Sequence, residues 1–132
     1  KFFQAFSNIG LIPDSGGTWM LPRLVGMQRA AAMAFFGEPV LASEAEAIGL
    51  IYKSVDDEVF DEEVASIALR LASLPTYGIG LTKKAFNLGL ESDLSTHLTT
   101  ERDLQMRASK SDDYAEGVAA FLEKRKPTFQ GK

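Results

Sequence analysis

Beyond residue 56 the sequence reads almost entirely as amphipathic helix; before it lie two strand candidates and a glycine-rich loop, and this switch constrains the fold more than any other feature. From Asp57 to Leu74, the residues Phe60, Val64, Ile67, Leu71 and Leu74 recur at three- and four-residue steps and form one apolar stripe. Asp57, Glu58, Asp61, Glu62 and Glu63 fill the first turns, where the positive end of a helix favours acids. Pro75 ends this helix. Three more are predicted, from about Tyr77 to Leu90, from Leu94 to Ser109 and from Asp112 or Asp113 to Lys124. In the last, Tyr114, Val118, Phe121 and Leu122 share a face, and Pro127 stops the helix. Helices with apolar faces and few strands cannot complete an α/β layer alone, so these are expected to pack on a sheet supplied elsewhere or on partner subunits.

The first part is more varied. Lys1 to Phe6 is dense in aromatics and reads as a strand. Ser7 to Gly17 packs three glycines and one proline into eleven positions and reads as a shaped loop. Thr18 to Leu24 and Gln28 to Phe36 read as helices interrupted near Gly26, the second a buried one because Ala30, Ala31, Ala32 and Ala34 let backbones approach closely. Ser43 and Glu46 have capping-box spacing and open a short helix to Ala47 that Gly49 stops; Leu50 to Val55 is a second strand candidate. An apolar segment that begins at once, with no initiating methionine, is expected of a chain that starts mid-fold; a processed mature chain is the alternative.

Composition narrows the chemistry. A chain of 132 residues is long enough for one domain and short for two. Its 45% hydrophobic and 10% aromatic content excludes disorder and coiled coil. With no cysteine there is no disulfide, thiol nucleophile or thiolate metal site, and a single histidine rules out a multi-histidine metal centre. The six acids between Asp56 and Glu63 follow no calcium-loop spacing and read as a solvated helix start, so no metal is expected. A net charge of -4 argues against nucleic acid, while a phosphorylated ligand needs only a local pair of positive groups. No apolar run reaches the length of a membrane span and no targeting segment is recognisable, so a cytoplasmic protein without membrane contact is expected.

Two features of the loop could carry chemistry. Gly16-Gly17 stands directly before a helix: it either makes a tight turn with close helix contact or exposes backbone N–H groups to an anion. It lacks the lysine of a phosphate-binding loop and the spacing of a dinucleotide fingerprint. Asp14 is the single acid between Lys1 and Gly37. Its carboxylate either caps the following helix or sits in a cleft where desolvation tunes it for proton transfer.

The run from Phe3 to Thr18 (Phe-Gln-Ala-Phe-Ser-Asn-Ile-Gly-Leu-Ile-Pro-Asp-Ser-Gly-Gly-Thr), continued by Leu21-Pro22-Arg23-Leu24-Val25-Gly26, resembles the second half of the enoyl-CoA hydratase/isomerase (crotonase) superfamily. The likeness continues through Gly37-Glu38, Ser43 to Leu50, Glu116-Gly117 and Ala120 to Phe129. It implies an α/β, crotonase-like ββα superhelix: residues 1–55 as the C-terminal part of the core with its active-site loop at 7–17, residues 56–132 as a helical trimerisation region, and the N-terminal half of the fold absent from this chain. Assembly as a homotrimer or dimer of trimers follows.

The resemblance also divides roles. Hydratases of the family carry a second glutamate, in a Gln-Pro-Glu motif, at the position held here by Phe6, which can neither activate water nor donate a proton. Asp14, eight residues later, stands where dienoyl-CoA isomerases and the ring-1,2-epoxyphenylacetyl-CoA isomerases of phenylacetate breakdown carry a carboxylate. The implied substrate is an acyl-CoA thioester, with coenzyme A as part of the substrate and no tightly bound cofactor. The implied chemistry is isomerisation by proton transfer through Asp14, with oxyanion donors from the preceding half of the fold. Phe6, Pro13, Gly16, Gly17 and Trp19 would then shape the acyl pocket, Trp19 being equally readable as a core residue. Phe121 and Lys124 would approach the CoA of a neighbouring subunit, and Lys124 would pair with a phosphate unless it belongs to a solvated basic tail.

His97 reads as an interface or surface histidine rather than a catalytic one, with Glu101 one turn on. Arg23 is expected to fix the loop through backbone carbonyls or a carboxylate. Hydration of a 2-enoyl-CoA and a catalytically silent trimer scaffold are the competing readings.

Overall fold

The computed structural model describes residues 1–132 and divides them into two compact units, 1–60 and 61–132. The first unit contains a 3₁₀ turn at Ala5–Ile9 and helices α1 (Gly17–Val25), α2 (Met27–Phe36) and α3 (Ala42–Ala47), followed by a second 3₁₀ turn at Asp57–Val59. The second is built from α4 (Phe60–Ala72), α5 (Thr76–Gly89), α6 (Leu94–Ala108) and α7 (Asp112–Glu123). The chain is thus predominantly α-helical and lacks a β-sheet core.

Neither predicted strand is formed. Phe2 forms one isolated antiparallel bridge with Val40, through bonds of 2.8 and 2.9 Å, and no ladder follows. The amides of Gly10 and Leu11 are instead consumed locally by the carbonyls of Ser7 and Phe6, which winds Ala5–Ile9 into a 3₁₀ turn. At the second site the amides of Leu50 and Ile51 both turn back to the Ala45 carbonyl and that of Ser54 goes to the Glu46 carboxylate, so these three are not paired in a ladder. A strand depends on a partner, and here local acceptors take the groups that a partner would use.

The capping box is also not formed. The N-cap of α3 is Leu41, with no side-chain cap, and Ser43 lies inside the first turn. The carboxylate of Glu46 accepts the amide of Ser54 at 2.7 Å, so it ties the segment after α3 rather than the start of α3. Gly49 does stop the helix, at a left-handed φ of 77°.

Packing in the first unit centres on Leu21, Val25, Ala30, Met33, Val40 and Ala45, with Ile48, Leu50 and Ile51 against them. α1 and α2 supply opposed faces of this core. The alanine-rich α2 is buried on that one side alone: Ala30 and Met33 are covered, whereas Phe35 and Phe36 stand about 70% exposed. The expectation of a buried helix therefore holds on one stripe only, because a single neighbour covers no more.

In the second unit α5 packs on α6, and α4 meets α5 at a 101° bend beside Pro75. Leu81, Leu104 and Ala120 are its buried apolar residues. The stripe on α4 is formed as predicted but remains open, with Phe60, Val64 and Leu71 about half exposed. The accessible surface is 10047 Å², against about 6,800 Å² for a folded monomer of 14.4 kDa. Ile12, Met27, Phe86 and Leu94 each stand more than two-thirds exposed, apolar surface of the kind that interfaces cover. No single helix is long and apolar enough to cross a membrane.

Candidate functional site

The loop between the first 3₁₀ turn and α1 is built by backbone geometry. Ser15 and Gly16 are consecutive left-handed residues, at φ 51° and 83°, and the Gly17 amide returns to the Asp14 carbonyl at 2.7 Å. For glycine this conformation is unhindered; for Ser15 it is a strain seldom retained without cause. The turn throws Asp14 outward. Its side chain is exposed and accepts no hydrogen bond, and the N-cap position of α1 belongs to Gly16 without a side-chain cap. Neither local reading of Asp14 is met within this chain: Gly16 holds the N-cap position in place of a carboxylate cap, and the side chain is exposed rather than desolvated in a cleft, lying outside the lining of the cavity at the loop.

The predicted pocket residues separate into groups. Pro13 and Gly17 touch: a β-carbon on Gly17 would stand 3.3 Å from Pro13 Cβ. Together with Leu21, Pro22, Ala30 and Phe35 they line an apolar cavity of about 180 Å³ between the loop, α1 and α2. Phe6, Gly16 and Trp19 do not line it. Phe6 lies half-buried in the 3₁₀ turn, its carbonyl accepting the Leu11 amide at 2.9 Å. Trp19 is 45% exposed on α1 and is not a core residue.

Arg23 does hold a backbone carbonyl, as expected, but one on its own helix rather than in the loop. Its guanidinium lies 3.3 Å above the Trp19 ring, and Nη1 donates to the Trp19 carbonyl at 2.8 Å, one helical turn back. An i, i+4 spacing on α1 favours this stack over any contact with the loop.

Three residues not singled out by the sequence reading support the loop. Gln4 Oε1 and Ser7 Oγ are buried and have no hydrogen-bond partner, which makes them acceptors held in reserve beside the turn. Gly37, at the end of α2 with φ 60°, approaches Gln4, Ser7 and Asn8 so closely that a β-carbon would lie 3.3 Å from an oxygen of each. In the sequence Gly37 figures only within the family likeness, and neither its role at the end of α2 nor the close approach is foreseen there.

In the second unit, Phe121 on α7 is 82% exposed and Lys124 closes that helix with a left-handed φ of 54°. Phe121 lines an apolar cavity of about 410 Å³ with Tyr114, Val118, Leu122 and Phe129, a residue of the tail after Pro127. The tail is tied to α7 by Asp113, whose two carboxylate oxygens accept the amides of Gln130 and Gly131 at 2.6 and 2.9 Å. Asp113 is itself buried. His97 is half-buried rather than at the open surface: its side chain is 18% exposed, its ring packs on Gly89 and Nδ1 is buried without a partner. Nε2 stands 3.6 Å from Glu101 Oε1, too far for a hydrogen bond. No group of three or more His, Asp or Glu side chains could hold a metal ion.

The chain has counterparts in known proteins along its whole length. The enoyl-CoA hydratase/isomerase family matches residues 1–132. The chain is 48% identical to 1,2-epoxyphenylacetyl-CoA isomerase of Escherichia coli over all its residues and 50% of that protein. It is likewise 48% identical to a protein of Rhodobacter capsulatus described as a "Probable enoyl-CoA hydratase", over 99% of this chain and 51% of the relative. Among solved structures, an enoyl-CoA hydratase from Bacillus anthracis superposes with a TM-score of 0.88 at 34% identity, over 96% of this chain and 49% of that one. An enoyl-CoA hydratase subunit I from Geobacillus kaustophilus gives 0.91 at 38% identity, over 97% and 50%. The chain thus spans about half the length of the relatives it matches. Because the match runs unbroken from the aspartate loop through α7 to the tail, the chain belongs to the enoyl-CoA hydratase/isomerase family, and its helices are those of the crotonase-like fold.

Proposed function

We propose that this chain carries the proton-transferring carboxylate of an acyl-CoA isomerase, Asp14, and that the substrate is an unsaturated or ring-epoxide acyl thioester such as 2-(1,2-epoxy-1,2-dihydrophenyl)acetyl-CoA. The observation that carries this reading is the state of Asp14. A carboxylate at the tip of a strained turn, with no cap to form and no partner to neutralise it, is available to a substrate. Shifting a double bond requires a proton to leave a carbon conjugated with the thioester carbonyl and return elsewhere; one carboxylate over the dienolate plane performs both transfers. Phe6, at the position implied for a second glutamate, provides no group to activate water. In this reading Phe6, Pro13, Gly16, Gly17 and Trp19 shape the acyl site, while Phe121 and Lys124 meet the CoA moiety. Residues 1–55 complete the core begun by a preceding half of the fold that supplies the oxyanion donors, and residues 56–132 drive a cytoplasmic trimer or dimer of trimers.

Asp14→Asn in the intact enzyme is the test. The amide is nearly isosteric, so folding and acyl-CoA binding should persist while turnover falls roughly 10²- to 10⁴-fold and α/γ proton exchange in D₂O stops. Near-normal turnover and exchange would refute the assignment.

Hydration is the second reading, favoured by the equal 48% identity to the Rhodobacter capsulatus protein. Release of a 3-hydroxyacyl-CoA from crotonyl-CoA faster than any double-bond shift would establish it instead.

A further inference from the structure

Lys124 is the one residue of the second unit that carries a β-carbon and yet has a left-handed backbone, with φ 54°. Its amide and that of Arg125 turn back onto the last carbonyls of α7, the Arg125 amide reaching Ala120 at 3.0 Å. A helix end of this shape ordinarily carries glycine. Here it carries a cation instead, against the steric preference of the chain.

The neighbours on either side are pinned. Arg125 Nη1 and Nη2 donate to the two carboxylate oxygens of Glu116 at 2.6 and 2.8 Å, and Nε donates to Glu123 at 2.6 Å. Glu116 also accepts the Thr128 amide at 2.7 Å, so the fork joins the middle of α7 to the tail beyond Lys124. A bidentate guanidinium fixes orientation as well as distance. Glu116 and Glu123, the residue before Lys124, are therefore both occupied by Arg125, and Lys124 stands exposed outside the ion pairs they make.

We propose that Arg125, through Glu116 and Glu123, is a positioning residue that holds Lys124 in its left-handed turn and keeps its ammonium unpaired for a phosphate of the CoA moiety. The inference rests on the reading of Lys124 given above and adds the device that makes a strained lysine usable there. Without the fork, the turn relaxes and the adjacent Glu123 carboxylate, released from Arg125, competes with phosphate for the ammonium.

Steady-state kinetics in the intact enzyme separate the two claims. Lys124→Asn keeps a residue that tolerates the left-handed turn and removes the charge. It should raise KM for the acyl-CoA about tenfold, leaving kcat unchanged, and leave KM for the matching acyl-pantetheine thioester, which has no phosphate, where it was. Arg125→Gln should do the same, and the double variant should be no worse than either single one. If Lys124→Asn leaves KM for acyl-CoA unaltered, the phosphate role of Lys124 falls and the inference with it. If Lys124→Asn raises KM while Arg125→Gln keeps the parental value, the positioning role alone is overturned. Should Arg125→Gln lose its helical circular dichroism, Glu116→Gln takes its place, because it retains an acceptor for the Thr128 amide; a parental KM in that variant overturns the proposal equally.

Discussion

Gly37 and Ser7 are held in contact so close that a β-carbon on the glycine would stand 3.3 Å from the serine hydroxyl oxygen. The same carbon would meet the Gln4 carbonyl and Asn8 Oδ1 at that distance, and the backbone there has φ 60°. The end of α2 is thereby seated on the 3₁₀ turn that leads to the Asp14 loop. Gly37→Ala should cost about 1–2 kcal/mol for the left-handed β-carbon alone, with crowding on three oxygens added. Urea unfolding measures it; a change below about 0.5 kcal/mol would mean that the turn gives way freely and does not hold the loop.

The stack of Arg23 on Trp19 can be read directly, because Trp19 is the only tryptophan in the chain. Arg23→Met keeps the length of the side chain and removes the charge over the ring. Loss of a partly exposed cation–π contact is worth about 0.5–1 kcal/mol, so the fold should survive. The indole should become more mobile, with lower fluorescence anisotropy and greater quenching by acrylamide. Unchanged quenching would show that the packing of α1, rather than Arg23, fixes the ring. If Trp19 walls the acyl site as proposed, the same variant should also broaden acyl-chain selectivity.

What the sequence disclosed follows from how local each signal is. The helices were legible because their apolar residues recur along one segment: the stripe from Phe60 to Leu71 and the face from Tyr114 to Leu122 need no knowledge of a neighbour. Lys1–Phe6 and Leu50–Val55 misled because aromatic and β-branched content describes what a strand would tolerate, whereas pairing is decided elsewhere in the chain. The glycine-rich loop was found through Gly16 and Gly17, and its aspartate through isolation among apolar residues. The left-handed turns at Ser15 and Lys124 stayed hidden, since neither residue type announces that conformation. For the same reason the Arg125 fork was invisible: nine residues separate it from Glu116, and only the folded tail brings them together.

The fork also makes a prediction about pH. Arg125, by hydrogen bonding first, together with the Thr128 amide, pulls the Glu116 carboxyl from its usual 4.5 down to about 2. A depressed folded value means that the unfolded chain takes up the proton first as pH falls. The contribution of Glu116 to stability is therefore fully present above about 4.5, declines below it, and is gone once the pH passes about 2. Because Glu123 and Arg125 are exposed and Glu116 only half-buried, salt should weaken the effect. The Thr128 amide, bonded to the carboxylate at 2.7 Å, provides a local probe: its proton shift should titrate far below the ordinary glutamate range. In Glu116→Gln that titration should vanish while the amide keeps an acceptor. A Thr128 midpoint near 4.5 in the folded protein would mean that the fork is not closed in solution, and the tail would then be held to α7 by Asp113 alone.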